Sequence, residues 1–229
     1  MSSGCGLAAI GIAMVLAACA STPPPPDWQM NAKDSLDRSV AAYLQGNSRV
    51  EAVEFARARA ELARTARADL LARAELTRCA ARVASLVFEP CAGFAALAQD
   101  ASAAERAYAD YLAGKIDAKD AALLPEQHRA AATATATAPA AAVAVAGIAD
   151  PLARLIAAGV LMQTARAEPA VMALAVDTAS AQGWSRPLLA WLNVQALRAE
   201  GAGDANEAAR LRRRIGLVLG TAAGRSATP

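Results

Sequence analysis

The chain has 229 residues, of which 55% are hydrophobic but only 4% are aromatic, so its apolar content is mostly alanine and leucine. These residues favour helix, and we predict an all-α fold. The 23 basic and 21 acidic side chains leave a formal charge of only +2. This balance gives no electrostatic basis for binding nucleic acid, and we set that class of partner aside.

An uncharged apolar segment, Leu7 to Leu16, lies near the N-terminus. It is long enough for the core of a signal peptide and too short for the roughly 20 residues that a membrane-spanning helix needs. Pro23 to Pro26 would end any helix that continued from it, which argues against an ordinary buried helix. We therefore predict an export signal over residues 1–18.

The segment ends in Leu16-Ala17-Ala18-Cys19, which resembles the lipobox of bacterial lipoproteins. The resemblance implies cleavage before Cys19, a diacylglyceryl group on its sulfur and an acyl chain, such as palmitate, on its new amino group. Two or three acyl chains anchor a protein almost permanently. Ala20 stands where an aspartate would favour the inner membrane, so the resemblance favours the outer membrane. The Pro-rich residues 19–30 fit an extended tether.

Residues 31–114 have the apolar periodicity of amphipathic helices and are predicted to form an N-terminal helical lobe. The first helix is expected from Asp34 to Gly46, and the second from a capping box at Ser48, so that the two form an antiparallel hairpin. A longer helix follows and cannot continue past Pro90. Two shorter helices, one of them opening with a second capping box, complete the lobe.

One short motif recurs in this lobe. Tyr43-Leu44-Gln45-Gly46 matches Tyr111-Leu112-Ala113-Gly114 at an offset of 68 residues, twice the 34-residue period of tetratricopeptide repeats. The chain is similar to such repeats in its helix pairs and Gly-centred turns. However, no position near residue 77 repeats the motif. The sequence leaves open a tetratricopeptide-like array and a set of irregular helical hairpins.

Residues 115–149 are predicted as a linker, because residues 130–146 are almost wholly alanine, threonine and valine. The helical pattern restarts at Asp150-Pro151, where an N-cap residue precedes a proline at the first helical position. We expect a C-terminal helical lobe over residues 150–219 and a disordered tail over residues 220–229. One domain or two are both compatible with this length, and we predict two lobes.

Two thiols, Cys79 and Cys91, remain once the signal is removed and Cys19 is acylated. An isolated pair of cysteines in an oxidising periplasm favours a disulfide. An unbroken helix between them would separate the ends by roughly 15 Å, whereas a disulfide needs Cα atoms within about 7 Å. Either the helix ends soon after Cys79 and residues 83–90 fold back, or the thiols are unpaired core residues. We favour the disulfide.

Residue types that carry catalytic chemistry are sparse. The only histidine, His128, is expected in a solvated loop beside the linker, so a His-based metal cluster cannot form. No Gly-rich phosphate loop or His-Glu-x-x-His motif is present, and we predict neither a cofactor nor enzymatic activity. Two carboxylates would suffice for a glycosidase, but no pair stands out. The candidates are Asp69, Glu75, Glu89, Asp100 and Asp110.

Two sets of side chains could contact a partner. The basic cluster of the last helix either complements the negative end of the helix dipole as a solvated face, or binds lipid phosphates, peptidoglycan carboxylates or an acidic protein. Its members are Arg210, Arg212, Arg213 and Arg214. Four aromatic residues could stack on sugars, although their spacing favours the core. These are Tyr108, Tyr111, Trp184 and Trp191.

Helix-pair scaffolds leave concave surfaces on which partners bind. We therefore expect a membrane-anchored periplasmic lipoprotein that serves as a non-catalytic scaffold or adaptor for another, unidentified envelope protein. The alternative is an envelope protein that binds or hydrolyses the cell wall through an acidic pair or a tryptophan platform. A cleft on which two carboxylates converge would favour the alternative.

Overall fold

The chain is almost entirely helical where the structure describes it. The computed structural model covers residues 24–134 and 140–226, with side chains described as far as residue 220. These residues form eleven α-helices and one 3₁₀ turn, Ala118–Leu123, and contain no strand, which confirms the all-α class. The helices are α1 Asp27–Leu44, α2 Ser48–Ala63, α3 Ala68–Ala84, α4 Ala92–Ala95, α5 Ala103–Leu112, α6 Glu126–Thr133, α7 Ala140–Ala146, α8 Pro151–Gln163, α9 Pro169–Ala181, α10 Ser185–Gly201 and α11 Ala205–Ser226.

Side-chain caps set where several helices begin. The predicted capping box opens α5: the Ser102 hydroxyl accepts from the Glu105 amide at 3.2 Å, and the Glu105 carboxylate accepts from the Ser102 amide at 2.8 Å. Asp150 caps α8 as predicted, accepting a backbone N–H bond at 2.7 Å. The cap of α2 is Asn47, one residue before the predicted Ser48. Local sequence thus locates these helix starts to within a residue.

The two matching motifs have the same local structure. Tyr43 and Tyr111 are buried near the ends of α1 and α5, and Gly46 and Gly114 follow with φ of 87° and 69°. A left-handed residue at this position is a common way to end a helix, and it favours glycine because there is no Cβ to clash. The match therefore marks two equivalent helix ends. A tetratricopeptide-like array remains a prediction.

α1 begins earlier and α11 ends later than the sequence predicted. α1 starts directly after Pro26, so residues 27–30 of the predicted tether are helical. α11 continues through Gly220, where the helix was expected to end and the disordered tail to begin. A glycine inside a helix costs only about 1 kcal/mol relative to alanine, which does not by itself end a helix. The predicted signal segment and Cys19 lie outside the described residues.

The largest buried cluster contains side chains from α3 to α11. Trp191 of α10 is fully buried, and its indole N–H donates to the carbonyl of Ala84 at 3.1 Å. Gly159 of α8 lies so close to α3 that a Cβ at this position would clash with the carbonyl of Val83. α1 and α2 pack along each other and add two smaller clusters with α3. These contacts fix the C-terminal end of α3.

The segment 115–149, predicted as a linker, is largely helical and contributes to the same core. It contains the 3₁₀ turn, α6 and α7, and its residues Leu124, Ala141 and Val145 are at most 1% exposed. Its alanine content was interpreted as low complexity, but alanine is also the strongest helix former. Residues 135–139, in the middle of the alanine-threonine stretch, lie outside the described part of the chain. Side chains from both predicted lobes meet in one cluster.

Candidate functional site

A disulfide joins Cys79 on α3 to Cys91 just before α4, which confirms the predicted bond. The two Cα atoms are 5.9 Å apart, within the range that a disulfide requires. α3 ends at Ala84, and Leu86 then adopts a left-handed backbone with φ of 58°. The chain therefore turns back and returns Cys91 to the side of Cys79. Of the two arrangements left open by the sequence, the early helix end is the one observed.

The disulfide forms part of the wall of a cavity of about 460 Å³. Residues from α3, α4 and α5, from the returning segment 88–91 and from the end of α8 line it. Most of the wall is apolar, contributed by Val83, Phe88, Phe94, Ala95, Ala98, Ala109, Leu112 and Ala113. Three exposed charged residues, Glu89, Asp110 and Lys115, also line it and place both signs of charge at its rim.

Gln163, the last residue of α8, lines this cavity and also has an unpaired polar atom in its side chain. Its side-chain oxygen Oε1 is buried and has no hydrogen-bond partner among the described residues. It lies beside Gly114, where a Cβ would be 3.5 Å from Oε1 and 2.8 Å from the Cγ2 atom of Thr164. A buried acceptor left without a donor costs about 1–3 kcal/mol. The end of α8 therefore holds one buried acceptor without a partner, beside the turn at Gly114.

His128 is not in a solvated loop, as the sequence predicted, but is buried on α6 with 1% of its surface exposed. Its ring lies 5.1 Å from that of Tyr111 and 5.7 Å from that of Tyr108, and its Nδ1 is 3.4 Å from Tyr111 Oη. Burial lowers the pKa of His128 to about 4, although the charge of Asp150 acts in the opposite direction. The prediction failed because this segment is helical and places the His128 ring against Tyr108 and Tyr111 of α5.

The buried glutamates of the N-terminal helices are neutralised by arginines. The pairs are Glu51–Arg78, Glu54–Arg38, Glu54–Arg57, Glu75–Arg59 and Glu105–Arg73. A hydrogen bond from Arg38 lowers the pKa of Glu54. Burial would raise the pKa of Glu105, but hydrogen bonds from Arg73 and Ser102 outweigh it and lower the pKa. A general acid requires a raised pKa, so Glu54 and Glu105 are suited to holding helices together.

The five candidate carboxylates are distributed over several surfaces. Asp69, Glu75 and Glu89 form ion pairs with Arg67, Arg59 and Arg82 respectively. A hydrogen bond from Arg67 lowers the pKa of Asp69. Asp100 lies in the turns before α5 and is exposed. The structure brings only Glu89 and Asp110, of these five, to the wall of the disulfide cavity.

The basic cluster of α11 is partly neutralised. Arg210 pairs with Glu207 at 2.6 Å, and Arg212 pairs with Glu200 at 2.8 Å. Arg213 is exposed and Arg214 half-buried, and neither forms an ion pair with a described residue. Two of the four arginines thus form no ion pair in the described part of the chain, although the charge of Arg214 contributes to lowering the pKa of Glu207.

The aromatic residues belong mainly to the interior. Tyr111 and Trp191 are fully buried, as their spacing predicted, while Tyr108 and Trp184 are half-buried. Tyr108 lines a second cavity of about 490 Å³ with Leu76, Leu123, Leu124 and the Arg73–Glu105 pair. Burial raises the pKa of Tyr108 and Tyr111 well above the usual range, so both phenols are protonated at neutral pH.

In the described ranges, 24–134 and 140–226, no helix is long and apolar enough to cross a membrane, and no group of three or more His, Cys, Asp or Glu side chains could hold a metal ion. Comparison with known protein families, with curated proteins and with solved structures finds no match to this chain. The function is therefore argued from the residues themselves.

Proposed function

We propose that this protein is an exported lipoprotein, held by lipid on Cys19 to the periplasmic face of the outer membrane. The observation that carries the proposal is the sequence Leu16-Ala17-Ala18-Cys19 at the end of a short apolar segment. The Cys79–Cys91 disulfide supports it independently, because such bonds persist in oxidising compartments and are rare in the cytosol. An anchor and an oxidising location both fit the bacterial envelope.

The tether would keep the folded domain close to the bilayer. Residues 20–26 separate the lipid-bearing Cys19 from the first residue of α1, Asp27. Seven residues in a polyproline II conformation span about 22 Å, at roughly 3.1 Å for each residue. Any partner of this domain would therefore either lie at the membrane surface or extend to that surface from the periplasm.

The helical domain itself acts, in this proposal, as a non-catalytic scaffold or adaptor for another envelope protein. The carboxylates with a lowered pKa are committed to arginines and so are unsuited to proton transfer. Several large apolar side chains nevertheless face solvent, among them Phe88 and Leu217, which are 40% and 72% exposed. Contiguous apolar surface rimmed by polar residues marks sites where proteins bind, and Phe88 belongs to the apolar wall of the disulfide cavity, which Glu89, Asp110 and Lys115 also line.

A crosslinked pull-down of the full-length protein from native membranes tests both parts, with Cys19→Ala as the matched variant and untagged cells as the background. We expect wild type in the membrane fraction with one reproducible envelope protein, and the variant unanchored. If the variant fractionates with the membrane as wild type does, the lipoprotein proposal is wrong. If anchoring holds and no protein is captured, the adaptor role is wrong.

A second function, binding or hydrolysis of the cell wall, is favoured by one observation: Glu89 and Asp110 line the same cavity. The test is binding to and digestion of purified peptidoglycan by wild type and by the Glu89→Gln, Asp110→Asn double variant. Both substitutions are on exposed positions and leave the core intact. Digestion by wild type that the double variant loses would replace the adaptor proposal, and binding without digestion would identify the wall as the partner.

A further inference from the structure

One side of α11 combines arginines with an exposed leucine. Arg210, Arg213, Arg214 and Leu217 follow one another at spacings of three and four residues, so they share a face of this helix. Leu217 is 72% exposed, more than any other large apolar residue whose side chain is described, and Leu219 is 52% exposed. Together, the first four residues form the basic face of α11.

The described residues leave the basic face uncovered. α11 packs mainly on α10, and its buried residues Leu211 and Ile215 belong to the main core on its other side. A Cβ atom at Gly216 or Gly220, on either side of Leu217 along the helix, would meet no atom within 4 Å. An exposed leucine contacts water at a cost in free energy, and a surface that covers it removes this cost.

The charge of α11 indicates what kind of surface covers it. The helix contains five arginines and one acidic residue, Glu207, whereas the rest of the chain has 18 basic and 20 acidic side chains. Arg213 and Arg214 form no ion pair with a described residue. A phospholipid leaflet offers phosphates to guanidinium groups and an apolar layer to leucine, and basic amphipathic helices bind there. Peptidoglycan offers carboxylates but no apolar layer, so it leaves Leu217 in water.

The proposed anchor brings a leaflet within reach of α11. Residues 20–26 span about 22 Å and lead to Asp27, and α1 is about 27 Å long at roughly 1.5 Å for each of its 18 residues. The far end of α1 contacts α10, where Ser185 Oγ donates to the Gln45 carbonyl at 2.9 Å. α11 returns along α10 after a short turn, so its C-terminal half lies towards Ser185. A tethered surface is present at high effective concentration, so even weak binding to it is populated.

We propose that the basic face of α11 binds the anionic phospholipid headgroups of the membrane to which the chain is anchored. Arg213 and Arg214 lie beside the phosphates, and Leu217 enters the apolar layer beneath them. This inference rests on the proposed lipoprotein anchor, which supplies the membrane. The tether alone leaves the domain free to rotate, and this second contact gives it one orientation on the bilayer.

The test places a fluorescent label on the basic face. Because Cys19 is acylated in the proposed lipoprotein and Cys79 is bonded to Cys91, Gly220→Cys provides a free thiol for a nitrobenzoxadiazole label. Val143→Cys on α7, at a position 67% exposed, is the matched control, and the parent protein carried through the same labelling gives the background. The full-length protein from native membranes is reconstituted in phosphatidylcholine vesicles with or without phosphatidylglycerol.

Lipids brominated on their acyl chains quench a label that lies in the leaflet. We expect quenching at position 220 only when phosphatidylglycerol is present, and none at position 143 in either vesicle. Each basic residue near an anionic surface contributes about a factor of five to binding. Arg213→Gln with Arg214→Gln should therefore lower the ratio of bound to free α11 by roughly tenfold or more.

Two further variants separate charge at this face from charge in general. Arg49→Gln with Lys115→Gln removes the same charge from exposed positions elsewhere and should leave quenching unchanged. Leu217→Gln should weaken quenching although every arginine remains, with the circular dichroism of all variants unchanged. Equal quenching in the two kinds of vesicle, equal quenching at positions 143 and 220, or full quenching in the double arginine variant would overturn the proposal.

These outcomes are separable from the failure of the anchor. If Cys19 carries lipid and the label at position 220 is not quenched in either vesicle, the lipoprotein proposal stands and α11 does not bind the membrane. If the label is quenched as expected but Cys19 carries no lipid, α11 binds anionic membranes and the lipoprotein proposal is wrong.

Discussion

Acidification is expected to destabilise the protein through His128, in a range of pH where few other side chains titrate. The imidazole packs against the rings of Tyr108 and Tyr111 and is 1% exposed, and this burial lowers its pKa from 6.5 to about 4. Above pH 6.5 the imidazole is neutral in both the folded and the unfolded chain. Its full contribution to the free energy of unfolding is then present. As the pH falls from 6.5 towards 4, the unfolded chain takes up a proton that the folded chain does not, so stability falls.

The size of the effect follows from the shift in pKa. Each unit corresponds to about 1.4 kcal/mol, so the loss between pH 7.5 and pH 4.5 comes to about 2–3 kcal/mol and levels off at about 3–4 kcal/mol below pH 4. The carboxyl groups with lowered pKa values, such as Glu54 and Glu105, begin to remove stability as the pH falls through their ordinary value of 4.5, and most of their loss lies below it. Above pH 4.5, most of the change in the free energy of unfolding therefore comes from His128.

Urea unfolding of wild type and His128→Asn at several pH values between 7.5 and 4.5 measures the effect. Asparagine supplies an oxygen that accepts from Tyr111 but does not titrate, so its cost is constant with pH. The free energy of unfolding of wild type should fall by about 2–3 kcal/mol more than that of the variant over this range. Two parallel curves would refute the conclusion that His128 is neutral because it is buried.

Three further predictions concern stability and share the assay of urea unfolding at pH 7. Gly159→Ala should cost about 1–3 kcal/mol, because its Cβ would clash with the backbone of α3, whereas Gly201→Ala, with no atom near its Cβ position, should be neutral or stabilising. Equal effects would contradict the close contact. Ala165→Gly should stabilise by about 1 kcal/mol, because exposed Ala165 has a φ of 56°, and a loss of stability would argue against that backbone. Reduction of the Cys79–Cys91 bond should cost about 3 kcal/mol for its short loop, and a double Cys→Ser variant should lose this sensitivity to reductant.

Features that depend on neighbouring residues could be predicted from the sequence. The structure contains both predicted helix caps, the capping box of Ser102 and Glu105 and the N-cap at Asp150. Each cap involves residues only three positions apart, so the local sequence is enough to predict it. The all-α class follows from composition in the same way. The disulfide could be favoured but not established, because it depends on where α3 ends. That end relies on a left-handed Leu86, a conformation that its side chain does not favour.

Features that depend on distant parts of the chain could not be predicted. His128 is buried because α6 packs against Tyr111, 17 residues earlier. Gln163 is a site residue because the end of α8 meets the turn at Gly114, and neither position has a pattern of its own. The alanine-rich segment was assigned to a linker because its composition is monotonous, yet Val145 within it is fully buried. Packing, and not local preference, decides these cases.

The most direct test of the central claim is the intact mass of the protein purified from membranes of its native host without reductant. A lipid-anchored, exported protein should lack residues 1–18, carry a diacylglyceryl group and an additional acyl chain on Cys19, and be two hydrogens lighter for the Cys79–Cys91 bond. The Cys19→Ala variant should carry no lipid. An unmodified Cys19 in the membrane-derived protein, or an N-terminus still beginning at Met1, would contradict the proposal that this chain is a lipoprotein.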